Sequence, residues 1–93
     1  AEPAQKALAA RADAFLAQPE PVRVAFLRAA GDADARSLAP TIAARIDADQ
    51  PAPVRRQALA TLVALKAPDA GRRVELALAD PDPSVRAEAV RLL

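Results

Sequence analysis

"PDPSVRAEAVRLL", residues 81–93, is the third statement of a phrase that also reads "QPEPVRVAFLRAA" at 18–30 and "QPAPVRRQALATL" at 50–62. Its Val-Arg pair falls at Val22-Arg23, Val54-Arg55 and Val85-Arg86, 32 and then 31 residues apart. A second phrase lies between. "SLAPTIAARID" (37–47) aligns with "DAGRRVELALA" (69–79), placing Ile42 over Val74 and Ile46 over Leu78. Self-similarity at a fixed period of this length marks stacked supersecondary units. One unit is a pair of helices, A then B, joined by short loops.

Residue types and their spacing support helices at both phrases. In the second A segment Val54, Ala58, Leu62 and Leu65 share a face at helical period, and Leu59 and Val63 widen it. In the first B segment Leu38, Ile42 and Ile46 stack four apart. Prolines at 19, 21, 51, 53, 81 and 83 precede or open the A segments, where a missing N–H is least costly. Pro40 falls in the first turn of a helix expected from about Ser37, for the same reason. Asp32 or Asp34, Ser37, Asp69 and Ser84 are the expected N-caps. Residues 4–17 read as a further helix with Leu8, Ala12, Phe15 and Leu16 inward, in the place of a preceding B helix.

Composition bounds the class. The 93 residues include 27 alanines, against 20 Val, Ile and Leu together and 2 Phe. Alanine is the best helix former but buries little surface, so such a fold must bring its helices close together. Only two glycines are present, which leaves few candidates for hairpin turns. The fold class is therefore all-α. Thirteen basic against twelve acidic residues give a net charge of +1, which gives no global reason to seek nucleic acid or an anionic membrane. No apolar run approaches the roughly 20 residues that cross a bilayer, so no membrane insertion is expected. With no Cys there is no redox clue to compartment; the expectation is a soluble protein, cytoplasmic or periplasmic. The opening "AEPAQKA" carries no signal peptide and fits either a mature end left after cleavage or an arbitrary boundary.

Each unit exposes an apolar face that only a neighbour can cover. Ending on Leu92 and Leu93 leaves such a face open. The expectation is a window of a longer array, a last helix that docks on another protein, or oligomerisation through the open terminal faces.

The stretch "ALADPDPSVRAEAVRLL" (77–93) resembles the HEAT-like repeat of the short bacterial type, also found in phycobilisome lyases. The resemblance is most specific at Asp80, Pro81, Asp82, Pro83, Val85, Arg86, Ala89 and Leu93, and next best at "DQPAPVRRQALATL" (49–62). It implies an α-solenoid of antiparallel helix pairs, about five helices or two and a half repeats. Residues 1–93 then form a single domain with units at approximately 1–17 (partial), 18–49, 50–80 and 81–93 (partial). It also implies a structural ladder between units, built from an Asp at the turn and an Arg early in helix A. The matching positions are Asp49 with Arg55 and Asp80 with Arg86, each six apart. The chain departs from the pattern at Ala17, so Arg23 must find Asp13 or Glu20, stay solvated, or serve another purpose.

The residues offer little for chemistry. His, Cys, Trp, Tyr and Met are all absent, which removes the commonest general base, the soft metal ligands and the platforms for stacking bases. Gly31 and Gly71 are isolated and read as loop punctuation near helix ends, not as a phosphate loop. Ser37 and Ser84 have no imidazole to activate them. "DADQ" (47–50) and "DPD" (80–82) gather carboxylates, but calcium needs about six or more oxygens in a shaped loop. No cofactor, metal or catalytic residue is therefore assigned, and the chain is not expected to be an enzyme.

The doublets Arg55-Arg56 and Arg72-Arg73 are the remaining feature. A phosphate-binding role is disfavoured by the balanced charge and the missing aromatic residues. The leading expectation is a protein-interaction scaffold, with Arg56, Arg72, Arg73, Leu92 and Leu93 as contact candidates. The face of the second A helix and the loops at 31–36 and 66–71 are the expected contact regions. The partner is another protein or the remainder of a parent chain. The alternative is an accessory domain of a larger enzyme or membrane-transport protein.

Overall fold

The computed structural model describes residue 14, residues 16–46 and residues 49–93. Among these residues there are five α-helices, one 3-10 turn and no strand. We number the helices α1 (Glu20–Asp32), α2 (Ala39–Arg45), α3 (Ala52–Ala64), α4 (Ala70–Ala77) and α5 (Pro83–Leu92), with the 3-10 turn Arg36–Leu38 leading into α2. The protein is all-α. Of the inward positions expected at 4–17, Leu16 is half-buried against the main core; Leu8, Ala12 and Phe15 lie outside the described residues.

Proline starts the A-phrase helices in the same manner each time. Pro19 and Pro51 occupy the N-cap positions of α1 and α3, with Pro21 and Pro53 one turn position inside, and Pro83 is the first residue of α5. The Pro19 carbonyl accepts from the N–H groups of Val22 and Arg23, and that of Pro51 from Val54 and Arg55. Pro40 sits in the first turn of α2, where its missing N–H has no intrahelical acceptor to leave empty.

Several expected N-caps fall elsewhere. Asp82 caps α5, its carboxylate accepting from the Ser84 N–H at 2.8 Å and from the Ser84 hydroxyl; Ser84 is the second residue of the helix, two positions past the cap. Asp69 precedes α4, but its carboxylate takes Arg73 Nε at 2.8 Å instead of a backbone N–H. Ser37 lies in the 3-10 turn and Asp32 ends α1. At Asp69 the arginine one turn on takes the carboxylate that would have capped the helix.

The helix ends also repeat. Ala35 N–H bonds Ala30 O and Asp34 N–H bonds Gly31 O; one period later Ala67 bonds Leu62 and Lys66 bonds Val63. This is the Schellman pairing, and it places Asp34 (φ 52°) and Lys66 (φ 57°) in the left-handed region. Glycine is the usual occupant there. The two glycines are elsewhere: Gly31 is inside the last turn of α1 and Gly71 in the first turn of α4, so neither is loop punctuation. Burial of Ala35 and Ala67 against the core holds the strained turns shut.

Helix α3 packs on each of the other four α-helices, most extensively on α1 and then on α5. The main core gathers Phe26, Leu27, Ala30, Leu38, Ile42, Val54, Ala58, Leu62 and Leu65, with a smaller cluster of Leu59, Val74 and Ala89 beside it. The face expected of the second A helix is thus the buried one. The expected B-segment stack also enters the core, with Leu38 and Ile42 buried and Ile46 packed at the edge. Fully buried alanines at 30, 58 and 89 let the backbones approach closely.

One polar group crosses this packing. Thr61 is buried, and its hydroxyl donates to Leu27 O on α1 at 2.8 Å while accepting from Gln57 Nε2 at 3.3 Å. Thr61→Val keeps the volume but removes the only donor in that contact, and is expected to cost about 1 kcal/mol. A shifted urea midpoint with unchanged slope would register it. Gly31 faces the same helix. A Cβ built there meets Thr61 Oγ1 at 3.7 Å and Ala64 Cβ at 3.8 Å, ordinary contact distances. Gly31→Ala is therefore expected to stabilise the fold by about 0.5–1 kcal/mol through helix propensity, seen as a rise in thermal midpoint.

Candidate functional site

The repeated arginines build a connected feature along one side of the A-phrase helices. Arg55 on α3 makes the most complete set of contacts. Its NH1 donates to Gln50 O in its own turn at 2.5 Å, and its Nε and NH2 donate to the two carboxylate oxygens of Asp80 at 3.1 and 2.8 Å. Asp80 lies in the following turn, before α5. This fork geometry is the strong form of an ion pair, and the two side chains keep only 18% and 14% of their exposure. Arg86, one period on, donates NH1 to Asp80 O at 2.7 Å and to Pro81 O at 3.1 Å. Arg23, one period back, donates to the Gln50 side chain. Its Nε is buried without a hydrogen-bond partner. Of the partners expected for Arg23, Asp13 lies outside the described residues and the contact made is with Gln50, not Glu20; Gln50 was not foreseen from the sequence. Asp49 is exposed in the turn before α3, beside the Gln50 that both arginines use.

Electrostatics follow this geometry. The Arg55 hydrogen bonds hold the Asp80 carboxyl below the usual aspartate range, with burial opposing and the Asp82 N–H assisting at 2.8 Å. Asp82 is also lowered, chiefly by the hydroxyl and N–H of Ser84. Both acids are thus fixed as charged acceptors that stiffen the turn between α4 and α5.

Beside this pair opens a cleft of about 280 Å³ at the junction of α3, α4 and α5, with Ile46 at one edge. Ala58, Leu59, Leu62, Leu76, Ala77 and Val85 form apolar walls, and Arg55, Asp80 and Arg73 supply the polarity. Arg73 is anchored by Asp69 and by Ala43 O at 3.3 Å, which aims it across α2 and α4. Leu76 stands 64% exposed on the rim. The 32-residue alignment of the B phrases could not show that Leu76 faces the cleft, since its position depends on how α4 sits against α3.

The other contact candidates are scattered. Arg72 is exposed, Arg56 is half-buried, and Leu92 packs on the Leu59–Val74–Ala89 cluster while Leu93 is exposed. Within Ala52–Ala64 the single exposed residue is Ala64. The expected contact face of the second A helix is therefore largely covered, because every neighbouring helix packs on it. The turns within 31–36 and 66–71 do reach the surface, through Asp34, Arg36, Lys66, Pro68 and Asp69. Among the described residues no group of three or more acids or other ligands is placed to hold a metal ion, and no helix is long and apolar enough to cross a membrane. A scan against protein-family models and searches of curated proteins and of solved structures gave no match to this chain.

Proposed function

We propose that the chain is a segment of a HEAT-like α-solenoid that binds protein and does not itself catalyse a reaction. The observation that carries this reading is the cleft at the α3–α4–α5 junction. Its walls are apolar, and its charged groups are already bonded to one another or to backbone. Such a surface recognises a partner by shape and by burial of an apolar side chain, with Arg73 and the Arg55–Asp80 pair fixing orientation. The repeated caps and the arginine contacts support the solenoid reading, because they recur at the sequence period. The balance of charge supports a protein partner over nucleic acid.

A photo-crosslinking amino acid at Leu76 tests the proposal, with the same group at exposed Arg28 as reference. Adducts to a discrete polypeptide are expected from position 76 and not from 28. Leu76→Asp in a chain labelled at Ala77 should lower the yield about tenfold, the effect of losing one apolar anchor. Equal labelling from both positions, or none from either, would overturn the reading.

A second reading rests on Val90 and Leu93, which are 62% and 76% exposed on the outer side of α5. A larger enzyme or transport protein that covered this face would make the chain an accessory domain.

A further inference from the structure

The cleft at the α3–α4–α5 junction opens where one slot of the repeat changes size. The A phrases place Phe26 of α1 and Ala58 of α3 at the same position, 32 residues apart. Phe26 is 3% exposed and belongs to the main core. Ala58 is fully buried and lines the cleft. The B helix that follows shrinks as well, from Leu38 and Ile42 to Ala70 and Val74 at the matching positions. Leu62, at the slot of Ala30, restores only part of the volume. A benzyl group that one unit supplies from its own chain is therefore missing in the next, and the cleft stands beside that slot.

The repeat also shows that stacking does not close this site. Leu76, 64% exposed on the rim, matches Ala44 one period earlier. Ala44 is exposed although α3, α4 and α5 all stand beyond its unit. Helix α4 packs on α3 and α5, and no comparable packing joins it to α2. A further unit stacked by the same rule would thus leave Leu76 uncovered, whether or not one follows.

The charges on the wall select among apolar occupants. Asp80, the carboxylate of the cleft, is spent on Arg55. Arg73 gives Nε to Asp69 and NH2 to Ala43 O, and its NH1 has no hydrogen-bond partner among the described residues. Two guanidinium groups thus border an apolar floor. Such groups attract the negative face of an aromatic ring and stack on it, whereas an aliphatic side chain gains nothing from their charge. On the reading of the cleft as a protein-binding surface, we infer that its occupant is a phenylalanine side chain of the partner. The ring sits against Ala58, in the slot that Phe26 fills in the preceding unit, with Arg55 and Arg73 beside it.

Methyl-resolved NMR of the chain, titrated with N-acetyl-phenylalaninamide and in parallel with N-acetyl-leucinamide, is the test. The phenylalanine probe should shift the methyl groups of Ala58, Leu62 and Leu76, with a dissociation constant of about 1–10 mM, the range of a fragment of this size. The leucine probe should bind about three- to fivefold more weakly, since it lacks the attraction to the guanidinium groups. Ala58→Phe fills the slot from within, as in α1, and should weaken the phenylalanine probe at least about tenfold. The wild-type titrations need no variant to fold. No shift, equal affinity for the two probes, or shifts that avoid these methyl groups would each sink the inference, as would an Ala58→Phe chain that folds and binds as the wild type does. Crosslinked adducts at position 76 alongside equal probe affinity would leave the protein-binding reading standing and remove the phenylalanine. Ring binding at Ala58 without any adduct would keep the ring site and remove that reading.

Discussion

Leu27→Ala is expected to lower the unfolding free energy by about 3 kcal/mol, and Val90→Ala, at the same slot of the repeat, by less than about 0.5 kcal/mol. Both residues are aliphatic, both sit at the same register of an A-phrase helix, and the sequence gives no reason to separate them. The structure does. Leu27 is fully buried in the main core, where α1 packs on α3, so its truncation leaves a cavity within that cluster. Val90 is 62% exposed, so its truncation leaves no void. Leu59→Ala should fall between, since Leu59 is nearly buried in the smaller cluster. A domain of this size has a total stability of about 5–14 kcal/mol, so the Leu27 change removes a large fraction of it. Urea denaturation of the three variants at dilute concentration is the measurement. Equal losses at 27 and 90 would mean that α5 is not at the edge of the stack.

Arg55→Ala is expected to cost about 2 kcal/mol, because Asp80 would then be left largely shielded from water without its two-pronged donor. The Gln50 carbonyl loses its partner in the same change. Asp80→Asn should cost less, since the amide oxygen still accepts one hydrogen bond. The double variant should cost less than the sum of the single ones, by about 1 kcal/mol of coupling. Repacking the pair with apolar residues of the same volume could be nearly neutral, because desolvation offsets much of the attraction. The role of the pair is then to fix which turn meets which helix.

The pH dependence has a definite sign. Asp80 is lowered in the folded state, so its contribution is fully present above the unfolded aspartate value of about 3.9 and is lost as pH falls through the lower folded value. The stability gap between wild type and Asp80→Asn should be constant near neutrality and close progressively below about pH 4. Asp82, also lowered, acts in the same direction, so the acid limb of the wild type should persist in weaker form in the Asp80 variant. A gap that instead widened on acidification would refute the pairing.

The recurrence of Arg23, Arg55 and Arg86 was visible at once, as were Asp49 and Asp80. The expected pairs, Asp49 with Arg55 and Asp80 with Arg86, are replaced: Arg55 takes the Asp80 carboxylate and Arg86 takes the backbone carbonyls of Asp80 and Pro81, because an arginine reaches several ångströms and two turns lie within its range. Only the packing of α5 on α3 brings Asp80 to the fork. The contact between Arg23 and Gln50 was missed for a related reason. With Ala17 in the acid's place, the acids nearest to it in sequence are Asp13 and Glu20, while the amide one unit ahead is the group within reach. Thr61 gave no signal at all, being an ordinary residue in a helix until α1 is laid against it.

What the chain determined by itself is the local structure. Alanine abundance, apolar residues at three and four, and prolines where helices begin are short-range effects, and they suffice for an all-α fold with helices close to the observed bounds. The tertiary structure decided which of several equivalent positions is buried, which acid meets which arginine, and that Leu76 and Arg73 share a cleft. The physical reason is that a repeat writes the same residue at every unit, whereas burial and ion pairing depend on whether a neighbour is present on each side.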